Sequence, residues 1–178
     1  MADQFALCLA FTLQQEGGFC DDPRDPGGAT CQGITLATLR SWTGDDSLGV
    51  PAVRDIAPAT VQAIYGADFW NRMQCGSMPA GIDLMVFDQG VNSGPSRSVR
   101  LLQQALGFPG ADIDGCVGPQ TLGATAKADP AALIATLSNL QTAYYRSLST
   151  FDVFGNGWLA RVDRRRRAAM GMLQTITA

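Results

Sequence analysis

Only one glutamate, Glu16, stands among the sixteen acidic residues of this 178-residue chain, and Asp21, Asp22 and Asp25 follow within nine positions of it. There is no histidine. That excludes Ser-His-Asp and Cys-His schemes and every histidine metal ligand. Acid–base chemistry near neutral pH then falls to carboxylates. Two carboxyls in different surroundings, one protonated and one ionised, suit the cleavage of a glycosidic bond. The first protonates the leaving oxygen; the second serves a water molecule or the positive charge growing on the sugar.

Such a pair needs elements that hold it. Phe5, Leu9 and Leu13 recur every fourth residue, with Cys8 and Thr12 beside them, which predicts a helix with one apolar stripe. Gly17-Gly18 stops it. Glu16 thus falls at the C-terminal end, where the helix dipole opposes a negative charge. Residues 19–34 read as turns and short strands, a small β-hairpin, because the Asp-Pro steps and Gly27-Gly28 exclude a helix. Thr35 is the expected N-cap of a short helix to Trp42.

Beyond a Gly-, Asp- and Pro-rich loop, Pro58 to Met73 predicts a helix with Val61, Ile64, Tyr65 and Phe69 inward. Gly81 to Val91 is apolar enough for a buried helix, ended by Asn92-Ser93-Gly94-Pro95. Ser96 to Leu106 predicts the next, with Val99, Leu102 and Leu106 inward, and 112–121 reads as a turn-rich loop. Asp129-Pro130 opens a long helix with Leu133, Leu137, Leu140 and Tyr144 on one face. A loop is expected over 151–157, then a final helix from Trp158 to Ile176. The chain therefore reads as mainly α, with one small β-hairpin.

Several other functions find little support. The five cysteines form no CxxC pair, and Asp112-x-Asp114-Gly115 lacks the third acidic position and closing glutamate of a calcium loop. No metal and no organic cofactor is implied. Net charge is −3, but residues 146–178 carry six arginines against Asp152 and Asp163, a local balance of +4 that leaves −7 for the rest. Arg161 is expected to be structural and paired with an aspartate. Exposed neighbours such as Arg164 and Arg167 would help hold an anionic polymer. Nucleic acid is argued against by the overall acidity and the lack of a known motif. No run of about 18 apolar residues exists to insert into a membrane. Met1 to Phe11 holds Asp3 and no Lys or Arg, so a signal peptide's basic region is not expected there. Trp42, Trp70 and Trp158 read first as core or rim residues, with Trp70 kept as a candidate for sugar stacking.

The run Glu16-Gly-Gly-Phe19, then Asp22-Pro23-x-Asp25-Pro26-Gly27-Gly28-Ala29-Thr30 and Gly33-Ile34-Thr35, resembles the glycoside hydrolase family 108 N-acetylmuramidases, among them phage endolysins and secretion-associated muramidases. The likeness continues at Ile64-Tyr65, Phe69-Trp70 and Phe87-Asp88-x-x-Val91-Asn92-Ser93-Gly94-Pro95. From Leu102-Gln103 through Asp114-Gly115-x-x-Gly118-Pro119-x-Thr121, and again at Gly157-Trp158 and Arg161-Val162, the chain resembles the peptidoglycan-binding segment usually joined to that catalytic part.

The resemblance implies a lysozyme-like helical fold, with a catalytic part at 1–94 and a helical peptidoglycan-binding part at 95–178 packed as one compact unit. It implies hydrolysis of the β-1,4 bond between N-acetylmuramic acid and N-acetylglucosamine, with Glu16 as the acid. The order of glutamate at a helix end, aspartate nine residues on and threonine soon after is also similar to phage-type lysozymes. That favours Asp25 as base or charge stabiliser and Thr30 as holder of the water, while Asp22 stays open as the second carboxylate or a substrate contact. Trp70, Asn92 and Ser93 are expected to touch substrate. The alternatives are a non-catalytic wall-binding protein and a chitinase-like hydrolase. The partner implied is bacterial peptidoglycan, met by a monomer after export through a holin or a dedicated secretion system. Cys20 and Cys31 depart from the family's usual residues and stand at the two ends of the hairpin, where paired strands can bring two Cβ atoms to about 4 Å. A disulfide there and two free thiols are the competing expectations.

Overall fold

The computed structural model describes residues 3–21 and 28–175. Asp22 and Asp25 lie outside the described residues. In chain order the elements are α1 (Gln4–Glu16), β1 (Thr30–Cys31), β2 (Ile34–Thr35), α2 (Leu36–Thr43), α3 (Val50–Arg54), α4 (Pro58–Tyr65), α5 (Ile82–Ser93), α6 (Pro95–Ala105), α7 (Pro119–Lys127), α8 (Pro130–Arg146) and α9 (Phe151–Thr175). By packing they form two compact units, Leu9–Asp68 and Met1–Cys8 with Phe69–Ala178.

The Leu9–Asp68 unit is built on the hairpin and three short helices. The Thr35 hydroxyl accepts from the Thr38 amide at 3.0 Å and so caps α2 as expected, and left-handed Gly44 ends it. The segment expected as loop contains α3. Pro51 suits its first turn, and Val53, with no exposed surface, supplies the burial that holds so short a helix. Arg40 ties the preceding loop down by donating to the Leu48 carbonyl from Nε at 2.8 Å and Nη2 at 2.6 Å. The helix expected over 58–73 is not continuous. α4 stops at Tyr65, and the chain widens into a π-wound segment, Gly66–Asn71, before a short turn of 3-10 helix at Cys75–Ser77.

The other unit is organised around α5, whose residues from Ile82 to Gly90 are all buried and which packs against α6, α8 and α9. A helix buried on every side sits at the centre of its unit, which is why packing groups it with the helices that follow. Phe5, Trp70 and Phe87 form an aromatic cluster with ring centroids 5.2–6.0 Å apart. The Asp129 carboxylate caps α8 by accepting from the Ala132 amide at 2.7 Å.

Asp88 of α5 is a buried carboxylate with charged partners. Asp88 Oδ1 accepts from Arg161 Nη2 at 2.7 Å and Asp88 Oδ2 from Arg165 Nε at 2.5 Å. Burial alone would push the Asp88 carboxyl up, but the Arg165 charge and the bonds from Arg161 hold it below the usual carboxylate range. Arg161 is thus structural and paired with an aspartate, as its position led us to expect. Arg165 joins it in the core and also donates to Gln89 and Gln141, both at 2.7 Å. Arg164, Arg166 and Arg167 remain exposed, with Arg167 bonded to Asp163 one turn earlier.

Three expectations for this unit need correction. The inward residue of α8 is Tyr145, not Tyr144. Tyr145 is 2% exposed and stacks on Trp158, whereas Tyr144 lies half-exposed under the Arg97 guanidinium. Residues 119–127, of which 119–121 were expected as the end of a loop, form α7. Residues 151–157 are not a loop but the start of α9. Gly155 there is enforced by packing: a Cβ would lie 2.6 Å from the Phe151 ring. The glycines each cost about 1 kcal/mol of helix propensity, and contacts of the Phe154 and Tyr145 rings with Trp158 offset this.

Candidate active site

The apolar stripe of α1 runs out at Glu16, and Gly17, in the left-handed region at φ 77°, ends the helix. The chain passes exposed Phe19, which lies 4.8 Å beneath the Arg54 guanidinium, and reaches Cys20. Cys20 pairs with Thr30: each amide donates to the other's carbonyl at 2.8 Å. Thr30 in turn faces Thr35, and Cys31 faces Ile34. The hairpin is therefore confined to 30–35, with Cys20 as an outer rung, and is shorter than the span 19–34.

The two turn residues, Gln32 and Gly33, have φ of 50° and 77°. Two successive positive φ values make the turn whose twist matches paired strands. It brings Gly33 against the end of α1. A Cβ on Gly33 would lie 3.1 Å from Glu16 Oε2 and 2.6 Å from the Tyr65 hydroxyl oxygen. Glu16 and Tyr65 thus converge on one point beside the turn. Tyr65, 2% exposed, donates its hydroxyl proton to the Gln32 carbonyl at 2.8 Å, so its oxygen offers lone pairs to its other neighbours. Glu16 itself is half-buried, a setting that gives a carboxyl access to substrate while its helix fixes its position.

Thr30 sits in β1 of this same hairpin, its amide and carbonyl both taken up by Cys20. The backbone is pinned, and the side chain is half-buried. Glu16 and Thr30, predicted from sequence, therefore share one unit. Tyr65, Gln32 and Gly33 were missed as site residues. Tyr65 lies at the helical spacing of a core residue, and only its hydroxyl, in a stripe otherwise apolar, hinted at a further use.

Trp70, Asn92 and Ser93 belong to the other unit. Trp70 was expected to stack on sugar; it is instead 8% exposed and packed between Phe5 and Phe87, so it is a core residue. Asn92 Oδ1 accepts from the Tyr145 hydroxyl, and Ser93 Oγ is 3.0 Å from Gln89 Nε2 and 3.3 Å from the Tyr145 oxygen. Both residues close α5 and are half-buried.

The cysteine pair is not a disulfide. Cys20 stands opposite Thr30, one residue before Cys31, and successive strand residues point to opposite faces. Cys31 is buried with its Sγ 4.0 Å from the Arg54 carbonyl, Cys20 is exposed, and both are free. The Asp112–Gly115 loop has its own bonds. Asp114 Oδ1 accepts from Gln103 Nε2 at 2.7 Å and from the Cys116 amide at 2.8 Å, and the Gly115 amide donates to Gln103 Oε1 at 2.9 Å. Among the described residues no group of three or more His, Cys, Asp or Glu could hold a metal ion, and no helix is long and apolar enough to cross a membrane.

Comparison with known proteins adds to this geometry. The family described as Glycosyl hydrolase 108 matches residues 9–94, and that described as Predicted Peptidoglycan domain matches residues 97–163. Among solved structures the chain is similar to SagA of Brucella abortus, with 38% identity, 94% of each chain covered and a TM-score of 0.82. None of the curated proteins compared with it matches.

Proposed function

Because the chain belongs to the glycosyl hydrolase 108 family and is a glycoside hydrolase directed at peptidoglycan, we propose that it cuts the β-1,4 bond between N-acetylmuramic acid and N-acetylglucosamine, with Glu16 as general acid. The observation that carries this reading is the placement of the only glutamate. Its carboxyl ends a helix, lies against the Gly33 turn beside the Tyr65 hydroxyl, and is half-buried. The turn holds the acid in place, and the neighbouring hydroxyl limits how it can rotate.

The reaction then needs a second carboxylate across the scissile bond. Asp25 takes that role, as base or as stabiliser of the oxocarbenium charge, with Asp22 contacting substrate. Thr30 orients the water: its backbone is fixed on one side by Cys20 and on the other by the pairing with Thr35. Asn92 and Ser93 hydrogen-bond an N-acetyl group at the end of α5. The protein works as a monomer on the wall, after export.

Glu16→Gln keeps the shape of the side chain and removes the acid. Lysis of purified wall, followed by turbidity, should fall by about a hundredfold or more, the usual contribution of one general acid. The fragments released by the parent should carry muramic acid at the reducing end. Near-parental lysis by the folded variant, or fragments ending in glucosamine, would refute the assignment.

A further inference from the structure

Trp42 is 42% exposed, and single exposed apolar residues are ordinary. This one lines a cavity of about 400 Å³ with Ala37, Thr38, Ser41 and Asp68, a volume within the range of about 300–1,000 Å³ typical of small-ligand sites. Ala37, Thr38, Ser41 and Trp42 have the spacing i, i+1, i+4, i+5 and so share one face of α2. Asp68 comes from the facing π-wound segment. Both walls lie in the Leu9–Asp68 unit.

We infer that this cavity is a subsite for a neutral pyranose of the N-acetylglucosamine type, adjoining the acid site; this rests on the glycan-cleaving function proposed above. The chemistry of the lining selects the ligand. A pyranose ring has one apolar face of C–H bonds and a rim of hydroxyls. The Trp42 indole matches the face. The Asp68 carboxylate and the Ser41 hydroxyl match the rim, and neither is engaged with any described residue. Bonds from sugar hydroxyls to a carboxylate are the stronger, charge-assisted kind.

Charge then separates the two sugars of the wall strand. Among the described residues no lysine or arginine lines the cavity, and Asp68 supplies the one charge. The free lactyl carboxylate of peptide-free N-acetylmuramic acid would be repelled there, and in the intact strand the same group carries a peptide that must be accommodated; the uncharged, unsubstituted sugar of the alternating strand meets neither obstacle. Chain connectivity joins the walls of the cavity to the elements that hold the acid. α2 follows directly from β2 of the hairpin whose turn meets Glu16, and Asp68 comes three residues after Tyr65.

The test uses the full chain carrying Glu16→Gln, so that a glycan is bound but not cut, with N-acetylglucosamine tetramer as the probe. By NMR, the tetramer should shift the indole N–H signal that disappears in Trp42→Ala. Trp42→Ala and Asp68→Asn should each weaken tetramer binding by roughly tenfold, the scale of one lost stacking or charge-assisted contact. Asp68→Lys should raise the affinity for peptide-free, muramic acid-containing glycan fragments relative to the tetramer. Trp42 and Asp68 are exposed and Glu16→Gln keeps the side chain's shape, so the variants should fold. The subsite is overturned if the tetramer does not bind, or if it binds with the Trp42 signal unmoved and equally tightly to both variants. Failure of the wild-type chain to lyse wall would instead overturn the function on which the subsite rests.

Discussion

Replacing Gly33 by alanine tests the contact that fixes the acid. The residue has φ 77°, where an L-residue costs about 1–2 kcal/mol more than glycine. Its new Cβ would sit 2.6 Å from the Tyr65 oxygen and 3.1 Å from Glu16 Oε2. The first of these is well inside contact distance. Tyr65 cannot retreat cheaply, because it is buried and its hydroxyl would leave the Gln32 carbonyl, a loss of about 1 kcal/mol. Glu16, half-buried at a helix end, yields more readily. Gly33→Ala should therefore lose about 2–3 kcal/mol in urea unfolding. It should also lose far more activity than that instability explains, since a misplacement near 1 Å at a catalytic group costs on the order of a hundredfold. Tyr65→Phe removes the atom that is struck, so Gly33→Ala in that background should be milder. The two substitutions should show a coupling of about 1 kcal/mol in a double-mutant cycle. If Gly33→Ala unfolds within about 0.5 kcal/mol of the parent, the limit for an unremarkable surface change, and lyses wall at the parental rate, the reasoning fails.

Two further substitutions probe the core. Burial raises the Asp83 carboxyl to about 6, against the opposing pull of the Leu84 and Gly81 amides and the Cys8 thiol. A raised carboxyl contributes stability below its ordinary value of 3.8, which is lost as the pH climbs through about 6. Asp83→Asn keeps an acceptor for both amides, so at about pH 7 it should match or exceed the parent by up to about 3 kcal/mol, an advantage that vanishes near pH 4. A parent more stable than the variant at neutral pH would show that the charge is not penalised. Asp88→Asn leaves Arg161 and Arg165 uncompensated in the core and should cost about 3–5 kcal/mol in thermal or urea unfolding; a change near zero would place the pair in water.

How much of this could be read from the sequence depends on whether one residue or a partnership decides the outcome. Glu16 was legible because it is unique and falls where a periodic stripe meets two glycines. The Thr35 and Asp129 caps were legible because a cap is a local bond over three residues. The hairpin was placed too broadly: its turn is Gln-Gly rather than the commoner Asn-Gly, and the true rungs are only two residues each. α9 was begun late because Gly155 and Gly157 argue locally against a helix, and the aromatic contacts that outweigh them are not local. The burial of Arg165 was missed, although its position one turn after Arg161, and an aspartate in the middle of the largely apolar α5, were its available signals. Tyr65 and Gly33 meet Glu16 only through the turn, and no spacing rule contains that contact. Trp70 went astray for the opposite reason, because a motif position was read as surface.

The buried ion pairing between α5 and α9 also sets a timetable for synthesis. Asp88 meets its two guanidinium partners 73 and 77 residues later in the chain. At about 5–20 residues per second, translation delivers them roughly 4–15 s after Asp88 is made. Through that interval a helix destined for burial on every side waits with its charge hydrated and its apolar surface uncovered. Closure of this unit is thus a late event of high contact order, and a nascent chain stalled before α9 is the form most exposed to aggregation and to holding chaperones.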